Sequence, residues 1–386
     1  MKKLIKTIEY IKWKNLMLVA SILVLASCTT DDAEEIQTDL DVINDETLLN
    51  ARMLKTDEVI NISSTGQGRK KADFELKLKG ELTPPTIDDL PLQATSVSQK
   101  GKFLAISYNY AGAVYAGAID LVTEELEVTS QLLAYADINE LEFYANSLYF
   151  VGGSDRLEKP AFAAKIDFDS GKGQFKSGGT VFEEVGSFTA NSVTEFGGVI
   201  YVTTGDDMST GGGIYRFNSS MNLDNYEAIE DARWVEGSGS KIYCVSGDPS
   251  TISVFDRNNL EIKEKIEHSA KTLPESKQTI DIDDKKIFVA GGEQGVLVYD
   301  MDGKLISNLK FDDNSITNAV SAEKGRLFIS NGEGGVYVAT YDDDDVEIIG
   351  KLELGNNESV NHILLHDDYL YVASGLGGVK MIEIDD

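Results

Sequence analysis

Cysteine is nearly absent from the 386 residues: Cys28 and Cys244 are the only two, so no disulfide framework holds the chain. Cys244 lies in an apolar run and reads as a buried packing residue. Six prolines stand against 35 glycines, a ratio that suits many tight turns. Positive charge is scarce too, with 35 Lys and Arg against 65 Asp and Glu and a net charge of -30. Such a surface repels phosphate backbones and anionic lipid headgroups, which argues against nucleic acid and against direct adhesion to a membrane surface. Cationic partners and metal ions stay compatible. Tryptophan occurs only at Trp13 and Trp234. No Gly-x-Ser-x-Gly elbow is present, and the glycine turns lack the Gly-x-Gly-x-x-Gly order and the following helix that a dinucleotide phosphate needs.

The apolar run Leu16–Leu25 follows Lys2, Lys3, Lys6, Lys12 and Lys14. It is about half the roughly 20 residues that span a bilayer, so it reads as the core of a signal peptide. Leu25-Ala26-Ser27-Cys28 resembles the lipobox of bacterial lipoproteins, which implies a signal peptide over residues 1–27 and lipidation of Cys28. Two or more acyl chains there give the stable anchoring that one chain does not. Removing residues 1–27 takes away five lysines and Glu9 and leaves a net charge of -34. Residues 28–70 are acidic and polar and are expected to be a flexible tether. Their start, Thr29-Thr30-Asp31-Asp32-Ala33-Glu34-Glu35, resembles the signal that carries some Gram-negative lipoproteins to the outer face of the outer membrane. The expected address is therefore an outer-membrane lipoprotein exposed at the cell surface, with a periplasm-facing lipoprotein as the alternative.

From about residue 71 the chain repeats one unit. Its clearest copy, Lys286 to Asp300, has two alternating apolar runs around Gly291, Gly292 and Gly295, the pattern of a hairpin of half-buried strands. Taking the first apolar residue as a marker, copies fall at Phe103, Leu148, Ile200, Ile242, Ile287, Leu327 and Leu370. A period near 44 residues with several strands per unit is that of a propeller blade, and seven markers predict an all-β, seven-bladed β-propeller over 71–386. The Gly-His and Trp-Asp dipeptides of WD40 blades are missing. Ala290 to Asp300 and Ala373 to Glu383 resemble the LVIVD repeat of bacterial and archaeal surface propellers. That resemblance implies an extracytoplasmic propeller and brings no catalytic motif with it. A monomer is expected.

Most blades show a fourth strand after the hairpin, but the last ends with its third. Phe74, Leu76 and Leu78 alternate with charged residues and have no hairpin partner nearby in sequence, so this N-terminal strand is predicted to complete the seventh blade.

Nine residues before each marker stand Asn139, Asn191, Arg233, Gln278, Asn318 and Asn361, with Ala94 beside Gln93 breaking the rule in the first blade. These positions begin the inner strands, so they should ring the channel mouth on the face where the glycine turns emerge, here called the top. They serve either to hold a ligand or to fasten turns by backbone hydrogen bonds. The top loops 152–160 and 205–213 are long, and Tyr108 and Tyr110 in the first blade's loop, Arg156, Lys159 and the pair Arg233 and Trp234 are expected near that sector. His362 and His366 fall on one strand face, too far apart for one metal. The runs Asp342–Asp345, Asp167–Gly171 and Asp300–Gly303 read as turns, with Ca²⁺ binding as the alternative and no other cofactor expected. The function expected is a non-enzymatic, surface-tethered propeller that binds a protein partner or an extracellular polymer through its top face. The alternatives are a hydrolase or lyase acting on such a polymer through acidic residues of that face, and a scaffold of an envelope complex.

Overall fold

The computed structural model describes residues 40–64, 72–205, 211–268, 277–312, 315–343, 345–355 and 359–385. The lipobox with Cys28, the preceding signal segment and positions 206–210 of the loop 205–213 lie outside them. Seven antiparallel sheets follow one another around a ring, each in contact through its inner strand with the inner strand of the next. Blade 1 runs from Gln93–Lys100 to Val128–Ala134, blade 2 from Asp137–Tyr144 to Gln174–Glu184, and blade 3 from Ala190–Glu195 to Leu223–Ala228. Blade 4 runs from Ala232–Ser238 to Ile262–Glu267 and blade 5 from Ile280–Asp283 to Leu305–Leu309. Blade 6 runs from Ala319–Glu323 to Val346–Leu352, and blade 7 begins with His362–His366. All seven markers sit on second strands. The chain is a seven-bladed β-propeller.

The middle strands explain the apolar content. Lys286–Ala290 is buried along its whole length and Val296–Asp300 all but its last residue, since each sheet is covered on both faces by its neighbours. Cores accordingly lie between blades; Phe328 and Val338 of blade 6, for example, share one with Ile363 and Val372 of blade 7. The repeat turns depend on glycine. Gly295 and Gly378 take φ of +77° and +75°, and a Cβ there would meet the carbonyl oxygens of Leu309 and Leu82 at 1.9 and 2.0 Å.

The ring closes as expected. Glu75–Leu82 pairs antiparallel with Val379–Asp385 as the fourth strand of blade 7, burying Phe74, Leu76 and Leu78 to 7%, 1% and 8% exposure. At about 1.5–3 kcal/mol each, these three side chains contribute at most about 5–9 kcal/mol, on the scale of a domain's net stability.

The tether expectation needs correction over 40–64. Asp41–Ile43 adds a fifth strand to blade 1, Met53–Ile60 pairs with Glu75–Leu82 as a fifth strand of blade 7, and Ile62–Ser63 does the same for blade 6. Between the first two, the helix Glu46–Asn50 is capped by the Asp45 carboxylate and inserts Leu49 into the core. The N-terminal strand of blade 7 thus has a local partner after all. A bidentate ion pair fixes this strap: Arg52 Nη1 and Nη2 donate to Asp120 Oδ2 and Oδ1, each at 2.8 Å, and Asp120 is fully buried.

Candidate functional site

The predicted ring of polar residues exists, and its chemistry is a belt. In blades 2 to 4, Asn139, Asn191 and Arg233 are each the extra residue of a β-bulge on the inner strand. A bulge re-aims its side chain, here toward the neighbouring blade. Asn139 Nδ2 donates to the carbonyl of Ala190, Asn191 Nδ2 to that of Ala232, Asn318 Nδ2 to that of Val360 and Asn361 Nδ2 to that of Ala94, at 2.8, 2.8, 3.0 and 3.0 Å. The first blade obeys the rule through Thr95, not Ala94. Thr95 is the bulge residue there, and its Oγ1 donates to the Ile138 carbonyl at 2.8 Å. The offset arises because Phe103 is the first residue of its strand, whereas the other six markers are second in theirs.

The belt changes character at the starts of blades 4 and 5. Arg233 reaches Asp231 (Nε to Oδ1 2.7 Å), so its charge is already matched. Gln278 is fully buried at φ +51°, and neither amide atom has a partner among the described residues.

More polar side chains seal the inner strands lower down. The backbone N–H of Val193 donates to Glu140, that of Val320 to Thr279, that of Ala322 to Asp281, that of Leu365 to Ser321 and that of Asp367 to Glu323. An inner strand is a sheet edge with free N–H groups, and blades 2, 5 and 6 supply acceptors for the blade that follows.

At the channel mouth three side chains meet from different blades. Lys277, just before blade 5, donates from Nζ to the Asn139 carbonyl of blade 2 at 2.6 Å and lies 5.6 Å from the Trp234 ring centroid. Trp234, 6% exposed, tilts against His362 of blade 7 at 5.5 Å. Trp234 is therefore part of this closure and presents no stacking surface to a top-face ligand. Burial, and then the Lys277 charge, hold His362 well below its ordinary pKa and therefore neutral. His366, at the other end of the strand, is exposed.

A cavity of about 370 Å³ lies in the channel, lined by Glu140, Glu142, Glu236, Asp281 and Glu323 among others. Burial raises four of these carboxyls: Glu140 to about 8, Glu142 to about 7, Asp281 to about 6, and Glu236 well above the usual range with Asp281 adding repulsion.

The top sector of blades 1 and 2 differs from its expected form. Tyr108 is fully buried within Phe103–Asn109, beside the Arg52–Asp120 pair, and Tyr110 is half-buried against the same core. Neither offers a stacking face. Tyr108 belongs to this strand and not to the loop after it, and the strand is buried through Tyr108. Lys159 is fastened to the Gly186 carbonyl (3.3 Å). Arg156 lies 5.0 Å from the Tyr135 ring centroid. The exposed apolar groups here are ones the sequence reading passed over: Val114 at 52%, Tyr135 at 40%, Phe188 at 61% and, from blade 7, Leu376 at 59%. All stand on top turns or blade-to-blade connections. Gly153 joins two of these segments, since a Cβ there would lie 3.1 Å from the Tyr115 ring and 3.9 Å from the Phe188 carbonyl. Asp137 at this rim accepts from Ala116 N–H (3.3 Å), and burial raises it to about 7. Isolated connections carrying single exposed aromatics leave no periodic trace that a sequence reading can find.

Among the described residues, no three His, Cys, Asp or Glu converge to hold a metal ion. Asp169 and Asp300 accept backbone N–H bonds in hairpin turns, as does Asp342. No helix of the described residues is long and apolar enough to cross a membrane.

No family model matches the chain, the LVIVD repeat included, and no curated protein resembles it in sequence. Solved structures do. The computationally designed Ika8 protein covers 85% of this chain with all of its own length, at TM-score 0.50 and 10% identity. The β-propeller domain of Cps50 (Swd1) from Myceliophteria thermophila covers 78% with 99% of its length, at TM-score 0.56 and 12% identity. A catalytically inactive virginiamycin B lyase from Staphylococcus aureus, solved with quinupristin, covers 81% with 99% of its length, at TM-score 0.58 and 14% identity. At these identities the likeness is one of fold.

Proposed function

We propose that this chain is a lipid-anchored, surface-exposed, non-enzymatic propeller of LVIVD-like type that binds a protein partner through the top face of blades 1 and 2. The observation that carries the reading is the exposed pair Tyr135 and Phe188, with Arg156 stacked on the first of them. Exposed aromatics beside arginine are the composition of interface hot spots. Asp88, Asp89, Asp155 and Glu158 edge the same sector, so the matching surface carries apolar groups ringed by lysine or arginine. With a net charge of -30 behind it, the sector draws a basic partner by long-range attraction. The anchor reading rests on Leu25–Cys28 alone.

The test is a photo-crosslinking amino acid placed at position 188, at 135, or at the outer-strand position 305 in cells of the natural host. A discrete protein adduct from 188 and 135 but not from 305 is the expected result. Adducts on polysaccharide in place of protein would favour the polymer reading, and adducts of equal yield from all three positions would overturn a top-face site. Fractionation of Cys28→Ser tests the anchor: release from the membrane is expected, and a processed variant that stays with membranes contradicts it. Among the described residues of the top sector, the hydrolase or lyase reading draws on Asp137, whose carboxyl burial raises to about 7 but which serves the blade 1 loop.

A further inference from the structure

The N-terminal strap sets how far the propeller stands from its anchor. As a free tether, residues 28–70 would let the domain range to about 150 Å from Cys28, at roughly 3.5 Å per residue. The fold takes most of that length back, because the chain already packs on blade 1 at Leu40. Residues 29–39 alone separate Leu40 from Cys28, and whatever their conformation they extend no more than about 40 Å.

Two independent observations put the entry point beside the top sector. Asp41 pairs with Leu133 near the end of the outer strand of blade 1, two residues before Tyr135. Paired strands lie about 5 Å apart and two residues span about 7 Å, so Tyr135 is within about 12 Å of the entry. Leu40 and Val42 also pack against the core that holds Ala134, Ala136 and Leu157. Leu157 belongs to the loop of Arg156, and that loop is tied to both aromatic connections. Ser154 Oγ donates to the Tyr135 carbonyl at 3.3 Å, and the N–H of Ala161, where the loop ends, donates to the Ser187 carbonyl at 3.1 Å. Entry point, Tyr135, Arg156 and Phe188 therefore move as one body.

The bilayer itself does not fit the sector. Asp88, Asp89, Asp155 and Glu158 edge it, all exposed, and the net charge of -30 repels anionic headgroups. A protein held in the bilayer fits, because a short anchor raises the effective concentration of the sector for such a partner and not for a freely diffusing one.

We propose that the partner of the top sector is a protein held in the same membrane, presenting its basic surface within about 50 Å of the bilayer. This step rests on the anchor at Cys28 and on the top-face reading above.

The test uses the crosslinking residue at position 188 in cells of the natural host, with the captured protein identified by mass spectrometry. That protein is then followed in cells lacking this chain, so that its own attachment is read. Retention in the membrane pellet after alkaline carbonate extraction is expected. Release by carbonate, or recovery in the soluble fraction, overturns the inference and leaves the top-face reading in place. Adducts of equal yield from 188 and 305, or none from 188, overturn the top-face reading and this step with it. Cys28→Ser carrying the same crosslinking residue reads delivery by the anchor, and its fractionation reports on the anchor separately. An adduct yield at least about tenfold below that of the wild type is expected. An undiminished yield from a released variant contradicts delivery by the anchor.

Discussion

Lys277 Nζ donates to the carbonyl oxygen of Asn139 at 2.6 Å, although the two residues belong to blades three steps apart on a ring of seven. The bond therefore spans the channel mouth, and with Trp234 and His362 it shuts the top of the central channel. Lys277→Met removes it and leaves Glu140 without its cation. A loss of roughly 1.5–3 kcal/mol, the range for a hydrogen bond to a charged group, is expected in urea unfolding. The exposed control Lys285→Met should stay within about 0.5 kcal/mol of the wild type.

The channel carboxyls set a pH dependence whose sign follows from their direction of shift. A carboxyl held higher in the fold than in the unfolded chain keeps its proton longer when folded. Its stabilising effect is therefore complete below the unfolded value, about 4.3, and falls as pH rises toward the folded value of about 7 for Glu142. Glu195, Glu236, Asp281 and Glu323 face the same space with Lys277 and Lys100 as the nearby cations. Glu142→Gln should be more stable than the wild type at pH 8 by roughly 1–2 kcal/mol after solvent screening, and equal to it at pH 4. Melting curves at the two pH values check this, and the opposite order at pH 8 contradicts it.

Arg52 is the clamp of the N-terminal strap. Arg52→Ala leaves Asp120 buried beside the Gln131 amide and Tyr108 with no cation to pair with, and a loss of about 3–5 kcal/mol is expected for a broken buried pair. Deletion through residue 64 should lower the melting temperature by removing three extra strands and Leu49. Deletion through residue 83 should lower it further by opening blade 7. Equal melting temperatures for the two truncations would contradict ring closure by Glu75–Leu82.

Burial pushes the Cys244 thiol up to about 12, so the native protein should not react with an aromatic disulfide reagent at pH 8 until denatured.

The architecture was legible because each blade carries its own copy of the apolar alternation and its glycine turn, and because Phe74, Leu76 and Leu78 show a clean alternation while the last blade ends with its third strand. The belt was legible as a spacing, but its role was not: a bulge at Asn139 or Thr95 is a register property of two strands, invisible along one of them. Residues 53–60 hid among charges because their strand lies outermost and mostly exposed, with Ile60 its only buried side chain. Tyr108 was assigned to the first blade's loop, but it lies inside the buried strand Phe103–Asn109. Lys277 left no sign at all, since its partner lies 138 residues away.

The most direct measurement of the account's central claim uses the protein captured by crosslinking from position 188. Its affinity for the wild type is compared with that for Phe188→Ala and for the outer-strand control Leu305→Ala, with melting temperatures recorded for each. Loss of roughly 2 kcal/mol, about thirtyfold in Kd, for Phe188→Ala alone, with its melting temperature unchanged, is the predicted result. Unchanged affinity for Phe188→Ala, or an equal loss for Leu305→Ala, would contradict a binding surface on the top of blades 1 and 2.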